Sequence, residues 1–434
     1  MTWSKGTGNA KSWGLAVSHI DANQRTPGPQ STAIPGAPIQ YFINPIGIQS
    51  VVLSAIELGP STVLTTRSLE AFSCDAILSP QATSPSNVTF PLVQGMAFVT
   101  GIYTNLMPAI QSSVFFRTVT QVAAPRAGVF KYKITLEDNK IWLLYARSNN
   151  GQDPRLQLMS NTLLQGLRGW SGTIQVAKNL ASASGESIYD GSAGVFPTTA
   201  AVTGSVSGTE GVYRIHWTKS GLTSLPLLTY ALPHHIQSFD DTTLRGKTKL
   251  QLQTTTKGLA TAIVGDSWTL VEQDLPVDMG FAPWTPTARS KTALSEGAIR
   301  LIQQVAASEI NQDYNSQTNL DSMYFSGKAL AKFATIVYTT NDLLKQRSLA
   351  TQGLDELKGA FARFVTNQQI YALVYDTVWK GVVSNGSYVT GDAGQDFGNT
   401  YYNDHHFHYG LCYFVQAVIL SLISKPISST PLLL

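Results

Sequence analysis

The sequence predicts a multidomain α and β protein in which an N-terminal antiparallel β-sandwich is followed by an array of α-helices. Three observations carry this expectation. A chain of 434 residues is longer than one hydrophobic core normally serves. Up to about residue 285, apolar residues alternate with polar ones at the strand period, between Gly, Pro and Ser clusters. Beyond the Pro283-Trp284-Thr285-Pro286 punctuation the apolar spacing becomes helical, and no proline occurs between Pro286 and Pro426.

Taken in order, Val51 to Leu58 and Ser113 to Val122 read as strands. Phe130, Tyr132, Ile134 and Leu136 alternate with Lys131, Lys133 and Thr135, the period of a strand. The Glu137-Asp138-Asn139-Lys140 turn then leads into Ile141-Trp142-Leu143-Leu144-Tyr145, which makes the pair a hairpin. Val212 to Thr218 and Leu259 to Val271 continue the strand pattern of a large antiparallel sandwich. In the later part, Leu294, Ala298, Leu301, Ile302 and Val305 fall on one helical face. The same spacing joins Leu330, Phe333 and Val337, and then Leu354, Leu357, Phe361, Phe364 and Val365.

Composition narrows the function. Charged residues make up 13% and apolar residues 43%, and the net charge is +3 without any Lys/Arg run. Such a surface has nothing to track a phosphate backbone, so nucleic acid is not the expected partner, and an uncharged polymer suits it better. Cys74 and Cys412 cannot form a disulfide framework. The chain carries no signal-peptide pattern, and the apolar stretch from Leu411 to Ile423 is too short to span a bilayer, so no membrane partner is expected. Asn87-Val88-Thr89 and Asn385-Gly386-Ser387 have the form of glycosylation acceptors.

The chemistry-bearing constellation is Asp404-His405-His406-Phe407-His408, which holds three of the seven histidines among aromatic residues from Tyr401 to Tyr413. On a helix Asp404 and His408 would be i, i+4 neighbours on one face. A carboxyl buried beside aromatics has its charged form disfavoured, which keeps a proton available for donation. Two other readings use the same residues. His405 and His408 with Asp404 could ligate a metal, although a third anchoring motif is missing, and Asp404 could simply cap a helix start. Upstream, Tyr375-Asp376-Thr377-Val378-Trp379 sets a carboxylate beside an indole before a Gly/Ser-rich loop. Sugar C–H faces stack on aromatics and sugar hydroxyls bond carboxylates, so the pairing suits a subsite, as it also suits a core tryptophan beside a surface aspartate.

The run from Asp396 to Gly410, Asp-Phe-Gly-Asn-Thr-Tyr-Tyr-Asn-Asp-His-His-Phe-His-Tyr-Gly, resembles glycoside hydrolase family 81. Tyr375 to Ser384, Gly265 to Leu270, Leu275 to Trp284 and Ser12 to His19 support the resemblance, which extends from about Ser4 to Ile419. It implies a β-sandwich over residues 1–200, a small α/β domain over 201–285 and the first part of an (α/α)6 barrel over 286–434. It also implies hydrolysis of internal β-1,3-glucosidic bonds with inversion, with β-1,3-glucan as partner, no cofactor, no metal, and an extracellular or cell-wall location for the full-length protein. Asp404 would be the general acid, and His408 would contact the sugar or tune that acid. Asp376, Trp379, Tyr402, His405 and His406 would bind substrate.

Inversion needs two carboxyl groups roughly 6.5–9.5 Å apart. The family's base is a glutamate downstream of the Asp-His-His run, and no Asp or Glu follows Asp404. Ser424 to Leu434 breaks the last helix with two prolines. The expectation is therefore a chain lacking sequence at both ends and the base with it. Phe414, Val418 and Leu422 would then have no packing partners, and the chain would aggregate.

Overall fold

The computed structural model describes residues 2–6, 12–20, 24–28, 41–43, 48–148, 150–180, 183–275 and 294–423. The Pro283–Pro286 punctuation and the proline-broken tail after residue 423 lie outside them. Two compact units result, residues 1–275 and 276–434.

In the first unit, alternation at period two builds two antiparallel sheets. One runs Thr2–Lys5, Trp13–Val17, Val51–Ala55, Pro108–Gln111, Leu163–Gln165, Gln157–Ser160. The other has eight strands in the order Phe116–Val122, Phe130–Leu136, Ile141–Ser148, Trp170–Asn179, Val99–Leu106, Asn87–Val93, Ser73–Ser79, Val63–Glu70. Val51, Leu53, Ile110 and Leu164 of the first meet Phe90, Ile134, Leu144 and Ile174 of the second in one core, which is the sandwich the alternation predicts. The Phe130–Tyr145 hairpin forms, with Thr135 opposite Ile141 and Asn139 in the left-handed region at φ 63°.

The unbroken apolar run Ile141 to Tyr145 has a cause beyond the sandwich. Trp142 and Leu144 face the sandwich core, while Leu143 and Tyr145 enter a second core with Tyr189, Leu228, Leu250 and Ala262. A strand covered on both faces needs apolar residues on both. This second layer holds the Ala183–Ser192 helix and two three-stranded sheets, Val195–Ser207/Glu210–Gly221/Ser267–Glu272 and Leu228–Ala231/Leu259–Val264/Lys247–Gln253.

Lys131, at a polar position of the Phe130–Tyr145 hairpin, is buried, with Nζ 2.7 Å from Glu186 Oε1 and 2.8 Å from Asp190 Oδ1 on the covering helix. One expectation is corrected here. Leu259 to Val271 is not one strand but two, Leu259–Val264 and Ser267–Glu272, in different sheets. The Val195–Ser207 strand runs across residue 200, and residue 285 lies outside the described residues, so the three-domain division remains a proposal.

In the second unit the long helices are Glu296–Ile310, Met323–Tyr338, Arg347–Val365 and His405–Ile423. Ser295, Asp313 and Ser322 cap helix starts by accepting backbone N–H bonds. Leu330, Phe333, Tyr338, Leu357, Val415 and Val418 form the core. The Glu296–Ile310 helix departs from its predicted face: Leu301 and Val305 are 64% and 50% exposed, and Ala306 and Ile310 are its buried residues. Val418 is fully buried, and Phe414 and Leu422 pack against the same core, so the expected patch of unpartnered residues is wrong in its members. The exposed large apolar residues of that helix are instead Phe407, Tyr413, Leu420 and Ile423. The helix begins at His405 rather than Leu411, and at 19 residues it is long and apolar enough to cross a membrane by length and composition. Residues 373–384 add a feature that helical spacing did not suggest, a two-stranded hairpin of Leu373–Asp376 and Gly381–Ser384.

Candidate active site

The hairpin, a left-handed turn and the start of the last helix bring the predicted residues together. Asp376 ends the first hairpin strand, and its Oδ1 accepts bonds from the Val378 and Trp379 backbone N–H groups at 2.8 and 3.3 Å. An aspartate closing its own turn in this way is common chemistry. Its Oδ2 accepts from the Tyr402 hydroxyl at 3.1 Å. The Val378 N–H above all holds the Asp376 carboxyl below the usual carboxylate range, and the Tyr402 hydroxyl is pushed up by burial and then by Asp376. Trp379 sits in the turn with 69% of its surface exposed. Gly381 is required for this pairing, because a Cβ there would lie 2.5 Å from Tyr402 Cε1 and 2.6 Å from its hydroxyl oxygen.

Five residues between 396 and 404 have left-handed backbone: Asp396, Phe397, Gly398, Tyr402 and Asp404, at φ 49°, 57°, 79°, 66° and 48°. Four are not glycine, and each such position costs about 1–2 kcal/mol of local strain. The Asn403 side chain ties the turn by donating to the Phe397 carbonyl at 2.6 Å.

Asp404 stands immediately before the His405–Ile423 helix, and its carbonyl accepts from the His408 N–H at 3.0 Å. Its side chain is exposed, where the sequence reading expected a carboxyl buried beside aromatics. Nor is it the carboxylate nearest His408. That imidazole is fully buried, with Nδ1 3.5 Å from Asp396 Oδ2 and the Tyr324 ring edge-on at 5.7 Å. Burial pushes the His408 pKa below its ordinary value, against the charges of Asp396 and Asp404. His405 lies between the Tyr402 and Tyr409 rings at 5.1 and 4.8 Å and is likewise pushed down by burial. His406 is exposed, 5.9 Å from His405.

Asp396, which the sequence offered only as one of three carboxylates preceding Asp404, with Asp376 and Asp392, and none of them the base that the resemblance implies, is enclosed here. Its carboxylate accepts from Ser322 Oγ, the Met323 and Tyr324 N–H groups and Asn399 Nδ2. Among the described residues no group of three or more His, Cys, Asp or Glu has metal-holding geometry. A cavity of about 630 Å³ adjoins His405 and Tyr409, but Phe361, Phe364, Leu373 and Leu420 give it a carbon-rich lining that offers sugar hydroxyls little. The polar, aromatic and exposed groups lie instead around Asp376, Trp379, Tyr402 and Asp404.

Comparison with known proteins identifies the family. Residues 1–286 match the glycosyl hydrolase family 81 N-terminal domain and residues 293–429 its C-terminal domain. A glucan endo-1,3-beta-D-glucosidase of Arthroderma benhamiae is 53% identical over 96% of this chain and 46% of its own length. The primary septum glucan endo-1,3-beta-D-glucosidase of Schizosaccharomyces pombe is 38% identical over 94% of this chain and 38% of its own. The glucan endo-1,3-beta-D-glucosidase 2 of Saccharomyces cerevisiae is 35% identical over 96% and 52%. The chain thus spans about half the length of such relatives, or less. A glycoside hydrolase family 81 structure from Clostridium thermocellum superposes with a TM-score of 0.59 at 17% identity, covering 96% of this chain and 60% of that one, a likeness of fold. With both domain models matched across nearly all of the sequence, the chain belongs to glycoside hydrolase family 81.

Proposed function

We propose that this chain carries the acid half of an endo-acting, inverting β-1,3-glucanase, with Asp404 as the general acid. The observation that supports it most is the placement of an exposed carboxylate on a strained turn beside Tyr402, itself bonded to Asp376 next to the exposed Trp379. Open, rigid aromatics beside ionised acceptors suit a sugar chain, whose C–H faces stack and whose hydroxyls donate. A glucan lying over Asp404 would take it out of water, and desolvation favours the uncharged form of a carboxyl, the form a general acid needs. His405 and His406 line the same stretch, and His408 supports it from beneath.

The fold that goes with this reading is a β-sandwich, a small α/β domain over residues 201–285 and the first part of an (α/α)6 barrel. The compartment is extracellular or the cell wall. The second carboxylate of the pair is the glutamate that the resemblance places downstream of the Asp-His-His run, and no carboxylate follows Asp404 in these 434 residues. The chain by itself is therefore expected to bind glucan without turning it over. Titration calorimetry with laminari-oligosaccharides, against cello-oligosaccharides as the β-1,4 control, tests this. Heat from the β-1,3 series alone supports the reading, and no heat from either series contradicts it.

A further inference from the structure

Among the described residues Asp396 is the buried acid, 7% exposed, and the chemistry proposed above does not use it. An enclosed carboxylate is costly unless its lone pairs are taken up. Here Oδ1 accepts from Ser322 Oγ and from the Tyr324 N–H at 3.3 Å, while Oδ2 accepts from the Met323 N–H and Asn399 Nδ2, both at 3.0 Å. Two of these donors belong to the first turn of the Met323–Tyr338 helix, where backbone N–H groups lack intrahelical partners and a negative charge is favoured. Capping alone would account for that half of the arrangement.

It does not account for the other half. His408 has no exposed surface, neither ring nitrogen has a hydrogen-bond partner, and Nδ1 faces Asp396 Oδ2 at 3.5 Å. A neutral imidazole carries one N–H. With an anion in front of Nδ1, the proton belongs on that nitrogen, since a lone pair there would face a carboxylate. Asn399 extends the same control, because with Nδ2 committed to Asp396 its Oδ1 accepts from the Tyr409 hydroxyl at 2.9 Å and the Ser384 N–H at 3.3 Å. One carboxylate thereby registers the hairpin that holds Asp376, the left-handed turn that holds Tyr402 and Asp404, and the helix that holds His405 and His408.

We propose that Asp396 is a positioning residue of this site, fixing His408 as the Nδ1–H tautomer and pinning the 396–404 turn, and with it Asp404, to the first turn of the Met323–Tyr338 helix. This rests on the reading of Asp404 as the acid. Asp396 touches no sugar; it acts through His408 and Asn399.

The test is long-range proton–nitrogen correlation on the whole 434-residue chain labelled at histidine, where seven rings give a countable spectrum and His408→Gln assigns the one of interest. The wild-type chain should show His408 as Nδ1–H. Asp396→Ala should shift it towards Nε2–H and weaken laminari-oligosaccharide binding about tenfold, the equivalent of about 1.4 kcal/mol. Asp396→Asn, which keeps an acceptor oxygen, should restore the tautomer and much of the affinity, a rescue that a purely scaffolding role does not predict. Nε2–H in the wild type, or an Ala variant with unchanged His408 signals, would overturn the proposal. If the Ala variant does not fold, the wild-type spectrum still decides. Glucan heat absent with the Nδ1–H tautomer present would overturn the functional reading and leave the tautomer assignment standing.

Discussion

At the scale of single residues, the contact between Tyr402 and Asp376 depends on an absent side chain. Gly381 leaves room for the Tyr402 ring, and any Cβ would have to push it aside. Gly381→Ala is therefore expected to break the 3.1 Å hydrogen bond between the Tyr402 hydroxyl and Asp376, because the ring tip moves more easily than the hairpin backbone. The loss should be about 0.5–1.5 kcal/mol of oligosaccharide affinity, read by calorimetry, with the melting temperature little changed. Unchanged affinity would show that the pair takes no part in binding. Asp376, Trp379, Tyr402 and Asp404 lie in two short runs of the sequence, and the hydrogen bond from Tyr402 to Asp376 joins the hairpin of one to the turn of the other. The sequence reading misjudged Asp404 and His408 because helical spacing was applied across a residue at φ 48°, which is not helical. The partner His408 does face, Asp396, lies twelve residues upstream across four further left-handed positions, and no local period reports that.

At the scale of elements, most strands and helices were legible, and the failures share a cause. Periodicity reports which residues alternate, not what covers the second face. Lys131 occupies a polar slot in a correctly read strand, yet the Ala183–Ser192 helix covers that slot and supplies Glu186 and Asp190 to it. Burial there draws the Lys131 pKa down, but the bonds to Asp190 and Glu186 outweigh it and the net shift is upward. Lys131→Ala removes the cation that Glu186 and Asp190 share, leaving Glu186 with Lys133 alone at 2.8 Å. It should destabilise the first unit by about 2–3 kcal/mol in urea denaturation, allowing for the partial exposure of both acids. A change within about 0.5 kcal/mol would mean that the cluster is solvated. Leu259 to Val271 was read as one strand for a related reason: both halves are apolar and strand-like, and only the sheet partners separate them.

At the scale of the molecule, low charge is the property that most constrains what the chain can hold. With 13% charged residues and a net charge of +3, binding should rest on stacking and neutral hydrogen bonds. Laminari-oligosaccharide affinity should accordingly change by less than about twofold between 50 and 500 mM salt, whereas a phosphate-backbone ligand would lose orders of magnitude over such a range. A steep salt slope would point to a charged ligand. The division into a β-rich and a helical unit was readable from the change of period near residue 285. The hairpin inside the helical unit was not, because strands of four residues are too short to establish a period. The central claim remains the role of Asp404, and it is tested most directly by joining residues 1–423 to the remaining portion of the Arthroderma benhamiae relative. Laminarin hydrolysis by that protein is then compared with and without Asp404→Asn. The account predicts that the variant still binds laminarin while its kcat falls about 10²–10⁴-fold, the range for losing a general acid. Equal kcat in the two proteins would contradict it.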